Sequence, residues 1–347
     1  MSILDLTIIM PVYNVEEYIE KSIKSIIQQK KNTLEYELLI INDGSIDNST
    51  KIAENLLINT NINYQIINIT NSGVSSARNK GIEKAQGNYI FFLDSDDTIE
   101  TDFMYRISAE LLNNVDIVFW AFNNININDN TLRKYLDFYL DKNKKYDSGI
   151  DVLKEILIEK NQLIWTGSAV YSKLLLSENK LLFNEKLING EDQEFIFSSL
   201  IYARKVHFIA DTLSFYLIRK NSVSTTFKER KFDSVLALEN VESLLVKRFN
   251  TEPKLIKAIN LYIIDNFLYV YKSGLKTGSA KKMSQIYNNL ETTYPGIKER
   301  VIEKMKNYKS YFIIKDIESK IASKNILIYG IFYKILKYLK DKFKFPF

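Results

Sequence analysis

The sequence predicts an α/β fold, a mostly parallel sheet with flanking helices, followed by a C-terminal helical region. Two observations predict it. Through the first third of the chain, short apolar runs alternate with amphipathic stretches, the rhythm of a parallel sheet with helices on both faces. Beyond Phe227 that rhythm stops and long helical patterns take over.

In order, Leu6 to Val12 reads as a buried strand, Glu16 to Gln29 as a helix, Glu37 to Ile41 as a strand and Asp47 to Leu57 as a helix. Tyr64 to Ile69 reads as a strand, Val74 to Gln86 as a helix and Asn88 to Leu93 as a strand. A helix to Asn113 and a strand from Asp116 to Phe122 follow, and Asn-rich Asn123 to Asn130 reads as a loop. Gly190-Glu191-Asp192 opens a helix to Ala203, and two strand-like segments come next, Lys205 to Ile209 and Thr212 to Arg219. The later helical patterns run from Glu229 to Phe249, Lys254 to Ser273 and Lys281 to Thr292, with breaks near Pro253, Gly274 to Gly278 and Pro295-Gly296. The expected division is a catalytic domain at 1–228, split into halves at about residue 100, and a helical region at 229–347 with a basic tail from about 324.

Composition narrows the chemistry. The chain has no cysteine and one histidine, His207. Disulfides, thiolate zinc sites, cysteine nucleophiles and most histidine-based catalysis are therefore excluded. Catalysis has to rest on carboxylates, hydroxyls and cations. No stretch approaches the roughly 18 uninterrupted apolar residues of a spanning helix, and Met1 to Asp5 lack the basic and apolar order of a secretory signal, so a cytoplasmic location is expected. The net charge of +5 is modest, and both signs mix along most of the chain, which argues against a nucleic-acid partner.

In parallel sheets the ligand sits outside the carboxyl ends of the strands. Those positions are polar, small or acidic here: Tyr13 and Asn14, Asn42 to Asp47, Asn71 to Gly73, and Asp94 to Asp97. Asp94-Ser95-Asp96-Asp97 places three carboxylates within four positions. Such crowding suits Mg²⁺ or Mn²⁺ bridging the protein to a nucleotide diphosphate. An acidic turn that merely solubilises a strand end is the other reading. Asp43, before Gly44, is either an acceptor for a base N–H or an ordinary turn residue. Arg78 and Lys80, on a helix opened by small residues, bring positive charge toward a nucleotide or stand as solvated helix charges.

Together, Thr7 to Asn14, Asn42-Asp43-Gly44-Ser45, Ser76-Ala77-Arg78-Asn79 and Leu93 to Asp97 closely resemble glycosyltransferase family 2 in residue type, order and spacing. The resemblance covers roughly residues 6 to 225 and implies the GT-A fold, a Rossmann-like arrangement, and an inverting transferase using a nucleotide sugar, UDP-hexose or UDP-N-acetylhexosamine. It also implies that Pro11, Val12, Tyr13, Asn14 and Asp43 line the base pocket with Arg78 close by. Asp94 and Ser95 would contact the donor, and Asp96, with Asp94, would hold Mn²⁺ or Mg²⁺. Glu191-Asp192 resembles the family's Glu-Asp motif, whose aspartate is the catalytic base. The segment Tyr216 to Ser224 resembles one that closes over the diphosphate through Arg219 and Ser222. Trp165 stands where family members meet the acceptor, or else is a core tryptophan. His207, inside an apolar strand-like run, is expected to be structural.

The implied role is synthesis of bacterial capsule, lipooligosaccharide or another surface polysaccharide on a glycan or lipid-linked acceptor. A non-catalytic carbohydrate-binding or assembly subunit retaining the fold is the alternative. An oxidoreductase is excluded because Gly-x-Gly-x-x-Gly does not follow the first strand. The tail interleaves aromatic and aliphatic residues with Lys324, Lys334, Lys337, Lys340, Lys342 and Lys344 against Asp341. This pattern fits a peripheral helix on an anionic membrane, or one that packs against the helical region or a second copy in a homo-oligomer.

Overall fold

The computed structural model describes residues 4–30, 34–219, 228–277, 280–309, 313–326 and 328–334. The chain forms two compact units, Met1–Lys186 with Glu191–Ser222, and Leu187–Gly190 with Val223–Phe347. In the first unit β1 (Leu6–Val12), α1 (Ile19–Ile27), β2 (Tyr36–Asn42), α2 (Ser49–Leu57), β3 (Asn63–Asn68), α3 (Val74–Lys84) and β4 (Tyr89–Phe92) follow the expected alternation. They are succeeded by β5 (Thr98–Ile99), α4 (Phe103–Leu111), β6 (Ile117–Ile125), β7 (Thr131–Lys134), β8 (Lys144–Tyr146), α5 (Gly149–Lys154), β9 (Ala169–Ser172), α6 (Lys173–Glu178), α7 (Glu191–Tyr202) and β10 (Val206–Leu217). The second unit is helical in its described residues: α8 (Asp233–Phe249), α9 (Pro253–Thr277), α10 (Ala280–Thr293), α11 (Ile297–Asn307) and α12 (Ile313–Lys324).

The sheet order is β3-β2-β1-β4-β9-β6-β10-β5, with β7 on β6 and β8 on β10. The first four strands are parallel. Every residue of β1 is buried, as expected for a strand covered on both faces. The second half departs from the parallel expectation. β9 is antiparallel to both β4 and β6, while β6 and β10 are parallel to each other. Two reversals through β9 return β6 to the direction of β4. The carboxyl ends of β1, β2, β4, β6 and β10 therefore share one edge with the amino end of β9.

Two boundaries differ from the sequence reading. Asn123 to Ile125 extend β6 rather than opening a loop, because β7 pairs with them. The two strand-like segments after residue 205 are one strand, β10, whose register shifts between Ile209 and Ser214. Small Ala210 and charged Asp211 at this irregularity mimic a turn in the sequence.

The core joins β1, β2, β4 and β6 to α1 and α4 through Ile8, Met10, Leu38, Ile40, Phe91, Phe103 and Trp120. Phe91 lies 5.0 Å from Phe103 and 5.5 Å from Trp120 between ring centroids. The Trp120 indole N–H donates to Ser214 Oγ at 3.0 Å, which satisfies the polar atom in the middle of this apolar packing. Helix α3 lies so close to β1 that a Cβ on Gly81 would fall 2.3 Å from Ile9 Cγ2. Gly81→Ala is expected to destabilise the fold by about 1–3 kcal/mol through overpacking. A lower urea midpoint at unchanged slope is the expected result, and an unchanged midpoint would contradict this close approach.

Candidate active site

The sheet places its own crevice. The chain proceeds from β1 outward through β2 and β3, then returns to the other side of β1 with β4. Ligands of open α/β sheets bind at such a reversal, outside the carboxyl ends of the two strands. Here those ends are Pro11 to Asn14 and Asp94 to Asp97.

The β1 and β2 ends are tied into one platform. Asn14, at a positive φ of 49°, donates its N–H to Ser45 Oγ at 3.2 Å and accepts from the Ile46 N–H at 3.0 Å. Pro11 and Val12 are buried, whereas Tyr13 is half exposed on the rim. Asp43 is buried, and its two oxygens accept from the N–H groups of Ser72 and Gly73 at 2.7 and 2.8 Å. It thereby fixes the turn into α3. A carboxylate has about four acceptor positions, so these bonds leave room for a base N–H.

After β4 the three carboxylates separate into different environments. Asp94 takes the Arg78 Nη2 at 2.8 and 3.1 Å. Asp96 takes Arg219 Nη2 at 2.6 Å, with the Arg219 guanidinium 4.8 Å above the Tyr18 ring. Ser95 is buried between them in sequence. Asp97 is wholly buried and accepts from the Leu217 N–H at 2.7 Å, a bond that joins this turn to the end of β10. Burial pushes the Asp97 carboxyl well above the ordinary range, reinforced by Asp96 and Asp94. Burial, then Asp94, pushes Asp96 up to about 6 against the pull of Arg219. The crowding that suggested a cation is thus relieved in part by two arginines.

Arg78 is almost completely buried. Burial alone would lower its pKa, but Asp94 and then Glu191 more than offset that and hold it above its ordinary value. Its Nη1 lies 3.7 Å from Glu191 Oε1, and its guanidinium sits 5.0 Å over the Phe183 ring. The structure thus puts Arg78 between Asp94, after β4, and the start of α7, a link that the sequence did not reveal. Burial and then Asp192 push Glu191 up to about 7. Asp192 caps locally, accepting from the Gln193 N–H at 2.7 Å. The Tyr171 hydroxyl, deeply buried, has no protein hydrogen-bond partner.

Trp165 precedes the turn into β9, at the same sheet edge as these groups. Its ring lies 5.3 Å from Phe122 and 5.1 Å from Tyr216, and it is only partly buried. It both packs and borders the edge. His207 lies near the start of β10, away from that edge, with Nδ1 2.5 Å from Glu110 Oε2, consistent with the structural role expected for it. Ser222 lies outside the described residues. Among the described residues no group of three or more His, Asp or Glu side chains is placed to hold a metal through protein ligands alone. Asp94 and Asp96 still provide the hard oxygen donors that Mg²⁺ or Mn²⁺ takes, one or two at a time, beside substrate phosphates.

The Glu191 shift has a consequence for stability. Between the ordinary glutamate value and about 7, the folded state binds more protons than the unfolded state, so stability falls as pH rises through that window. Glu191→Gln should remove this loss. Its Tm is expected to match wild type near pH 4.5 and to exceed it above about pH 7. Equal melting curves at both ends would show that Glu191 is not held in this way.

Comparison with known proteins bears on these residues. The profile of the family described as Glycosyl transferase family 2 matches residues 7–169. The putative glycosyltransferase EpsH of Bacillus subtilis is 27% identical over 295 residues, covering 82% of this chain and 81% of that protein. The minor teichoic acid biosynthesis protein GgaA of the same organism is 29% identical over 287 residues, covering 78% of this chain and 62% of its own length. Further curated relatives match over about a third of this chain, which spans between 13% and 38% of their length. The crystal structure of Staphylococcus aureus TarS 1–349 with UDP-GlcNAc superposes with a TM-score of 0.70 at 19% identity, covering 91% of this chain and 89% of that one. Residues 7–169, which carry the strand ends from Pro11 to Asp97, match the model of glycosyltransferase family 2, and the chain has a GT-A-like core.

Proposed function

We propose that the protein is an inverting glycosyltransferase that moves a sugar from a UDP-sugar, a hexose or N-acetylhexosamine, to a hydroxyl of a glycan or lipid-linked glycan in bacterial surface-polysaccharide synthesis. The observation that carries this reading is the convergence at one sheet edge of Asp43, Asp94, Asp96 and Arg219 with Arg78 and the Glu191-Asp192 pair. The roles of relatives support the class: GgaA in minor teichoic acid biosynthesis, and TarS as a protein crystallised with UDP and with UDP-GlcNAc.

In this reading Pro11 to Asn14 and Asp43 receive the base, and Asp94 and Ser95 meet the ribose and diphosphate. Arg219 neutralises phosphate charge, and Ser222 meets the phosphate oxygens with its hydroxyl. Asp96, with Asp94, holds a divalent metal, Mn²⁺ or Mg²⁺, which when bound offsets the negative charge gathering on the departing diphosphate. Asp192 takes the proton of the acceptor hydroxyl as its oxygen bonds to the anomeric carbon and the bond from that carbon to phosphate breaks. A single displacement on an α-linked donor yields a β-glycoside. Glu191 orients the acceptor side, and Trp165 offers its ring to the acceptor sugar.

Asp192→Asn tests the assignment with little change in shape. It should bind UDP as wild type does and lose about 10²–10⁴-fold in transfer rate. Excess chelator should abolish transfer by the wild-type protein in the same assay. Near-normal turnover by Asp192→Asn, or a retained anomeric configuration by NMR coupling, would sink the mechanism.

Membrane contact is the second part of the proposal. No described helix is long and apolar enough to cross a membrane. In the described part of the tail Ile326 and Tyr329 are buried, whereas Ile328 and Ile331 are 57% and 59% exposed beside exposed Lys334. Residues 335–347 lie outside the described residues. An exposed apolar pair beside lysine suits the interface of an anionic bilayer. Replacing Ile328 and Ile331 together by glutamate should reduce co-sedimentation with anionic vesicles. Unchanged sedimentation would remove the tail from membrane binding.

A further inference from the structure

Arg78 and its neighbour Asn79 act on the same loop in different ways. The Asn79 side chain pairs with both backbone groups of Phe183, 104 residues away: its Oδ1 accepts from the Phe183 N–H at 2.8 Å and its Nδ2 donates to the Phe183 carbonyl at 2.9 Å. Only one orientation of the amide satisfies both bonds. Nδ2 also donates to Glu185 Oε1 at 2.8 Å. The clamp fixes Phe183, whose buried ring lies parallel to Phe195 of α7 at a centroid separation of 4.0 Å and an angle of 7°. The same ring carries the Arg78 guanidinium.

Glu191 and Phe195 are four residues apart on α7, so they share a face of the helix. That face is held at two points, by Arg78 of α3 on Glu191 and by Phe183, which Asn79 of α3 clamps, on Phe195. Two anchors one turn apart set both the height of α7 and its rotation. Asp192, the next residue after Glu191, is turned about 100° from it around the helix axis. The rotation of α7 therefore decides where the Asp192 carboxylate points.

We infer that Asn79 is a positioning residue for the acceptor-side carboxylates, acting through Phe183 on the seat of Arg78 and on the first turns of α7. The inference rests on the transferase reading for its kinetic consequence, and on the geometry of α3, Phe183 and α7 for its structural one. Asn79 touches neither the base platform of Asn14 and Asp43 nor the Asp94–Asp97 turn through any hydrogen bond described above. A placement error of about 1 Å in a reacting group costs roughly 10²-fold in rate. A loosened α7 should thus slow chemistry and leave nucleotide affinity alone.

The test compares full-length wild type, Asn79→Ala, Asn79→Asp and Glu185→Gln. Hydrogen exchange of the amides in the first turns of α7 should accelerate about tenfold or more in Asn79→Ala, with the strands β1 and β2 unchanged. Asn79→Asp keeps the bond from the Phe183 N–H but sets a carboxylate oxygen against the Phe183 carbonyl and Glu185, so an acceleration at least as large is expected, and it decides the matter should Asn79→Ala fail to fold. Glu185→Gln keeps the Phe183 clamp and should exchange like wild type. The dissociation constant of UDP should stay within about twofold. Cleavage of the donor found active in a panel of UDP-hexoses and UDP-N-acetylhexosamines should fall about tenfold or more in kcat at unchanged KM. Unaltered exchange in α7, or a loss of UDP affinity that accounts for the lost rate, overturns the inference. No donor cleavage by the wild-type protein across the panel would instead count against the transferase reading, and the exchange comparison would still decide the role of Asn79.

Discussion

The concentration of negative charge at one edge of the sheet constrains everything around it. Asp94, Asp96 and Asp97 follow β4 within four residues, and Glu191 and Asp192 open α7 beside Arg78. Ionised carboxylates in a desolvated site repel one another strongly and take up protons unless cations stand among them. Arg78 and Arg219 provide that charge, each from a different element, and Asp97 escapes the problem through a carboxyl pushed well above its ordinary range. Buried ion pairs are poor evidence for stability, since desolvation consumes most of their attraction. Their value at this edge is preorganisation: charged groups are held in place before any ligand arrives.

The fold makes this concentration possible at low structural cost. Reversal of strand order at β1 opens a crevice without interrupting the core below it, and the apolar strands end abruptly where the polar residues begin. The antiparallel strand β9 matters as much as the parallel ones. By inserting between β4 and β6 it turns the second half of the sheet so that the ends of β6 and β10 reach the same edge as β1 and β4. Without it, Arg219 and the Trp165 turn would lie elsewhere. The bond from the Leu217 N–H to Asp97 then sews the end of β10 to the carboxylate turn.

The first four strands and the residues at their ends were legible in the sequence because their signals are local. A strand, a turn residue and a helix start within a dozen positions suffice to place Asp43 or Asp94, and periodicity alone locates the strand ends. What the sequence concealed is non-local or ambiguous in period. The pairing of Arg78 with Glu191 and the clamp of Asn79 on Phe183 join segments with no shared pattern. The bulged course of β10 read as two strands because Ala210-Asp211 interrupts the apolar run, and β9 carries only four residues, too few to declare an antiparallel partner. Asp94 and Asp96 were expected as metal carboxylates on family likeness; their arginine partners came only with the fold.

Those partners also separate the two kinds of cation that such a site uses. Arginine is always charged, and its planar fork holds a carboxylate in a defined orientation. Arg78 is buried and shared between Asp94 and Glu191, so moving it would expose two acids at once to unbalanced burial. It is built to stay. Arg219 is partly exposed, rests on the face of Tyr18 and holds a single carboxylate. In the proposed reading an incoming diphosphate would offer it anionic oxygens in place of those of Asp96. Exchanging one for the other costs little in local charge balance and frees the Asp96 carboxylate to face a ligand. The asymmetry between the two arginines follows from burial and from the number of carboxylates each holds, and the proposed reading places permanence at Arg78 and mobility of charge at Arg219.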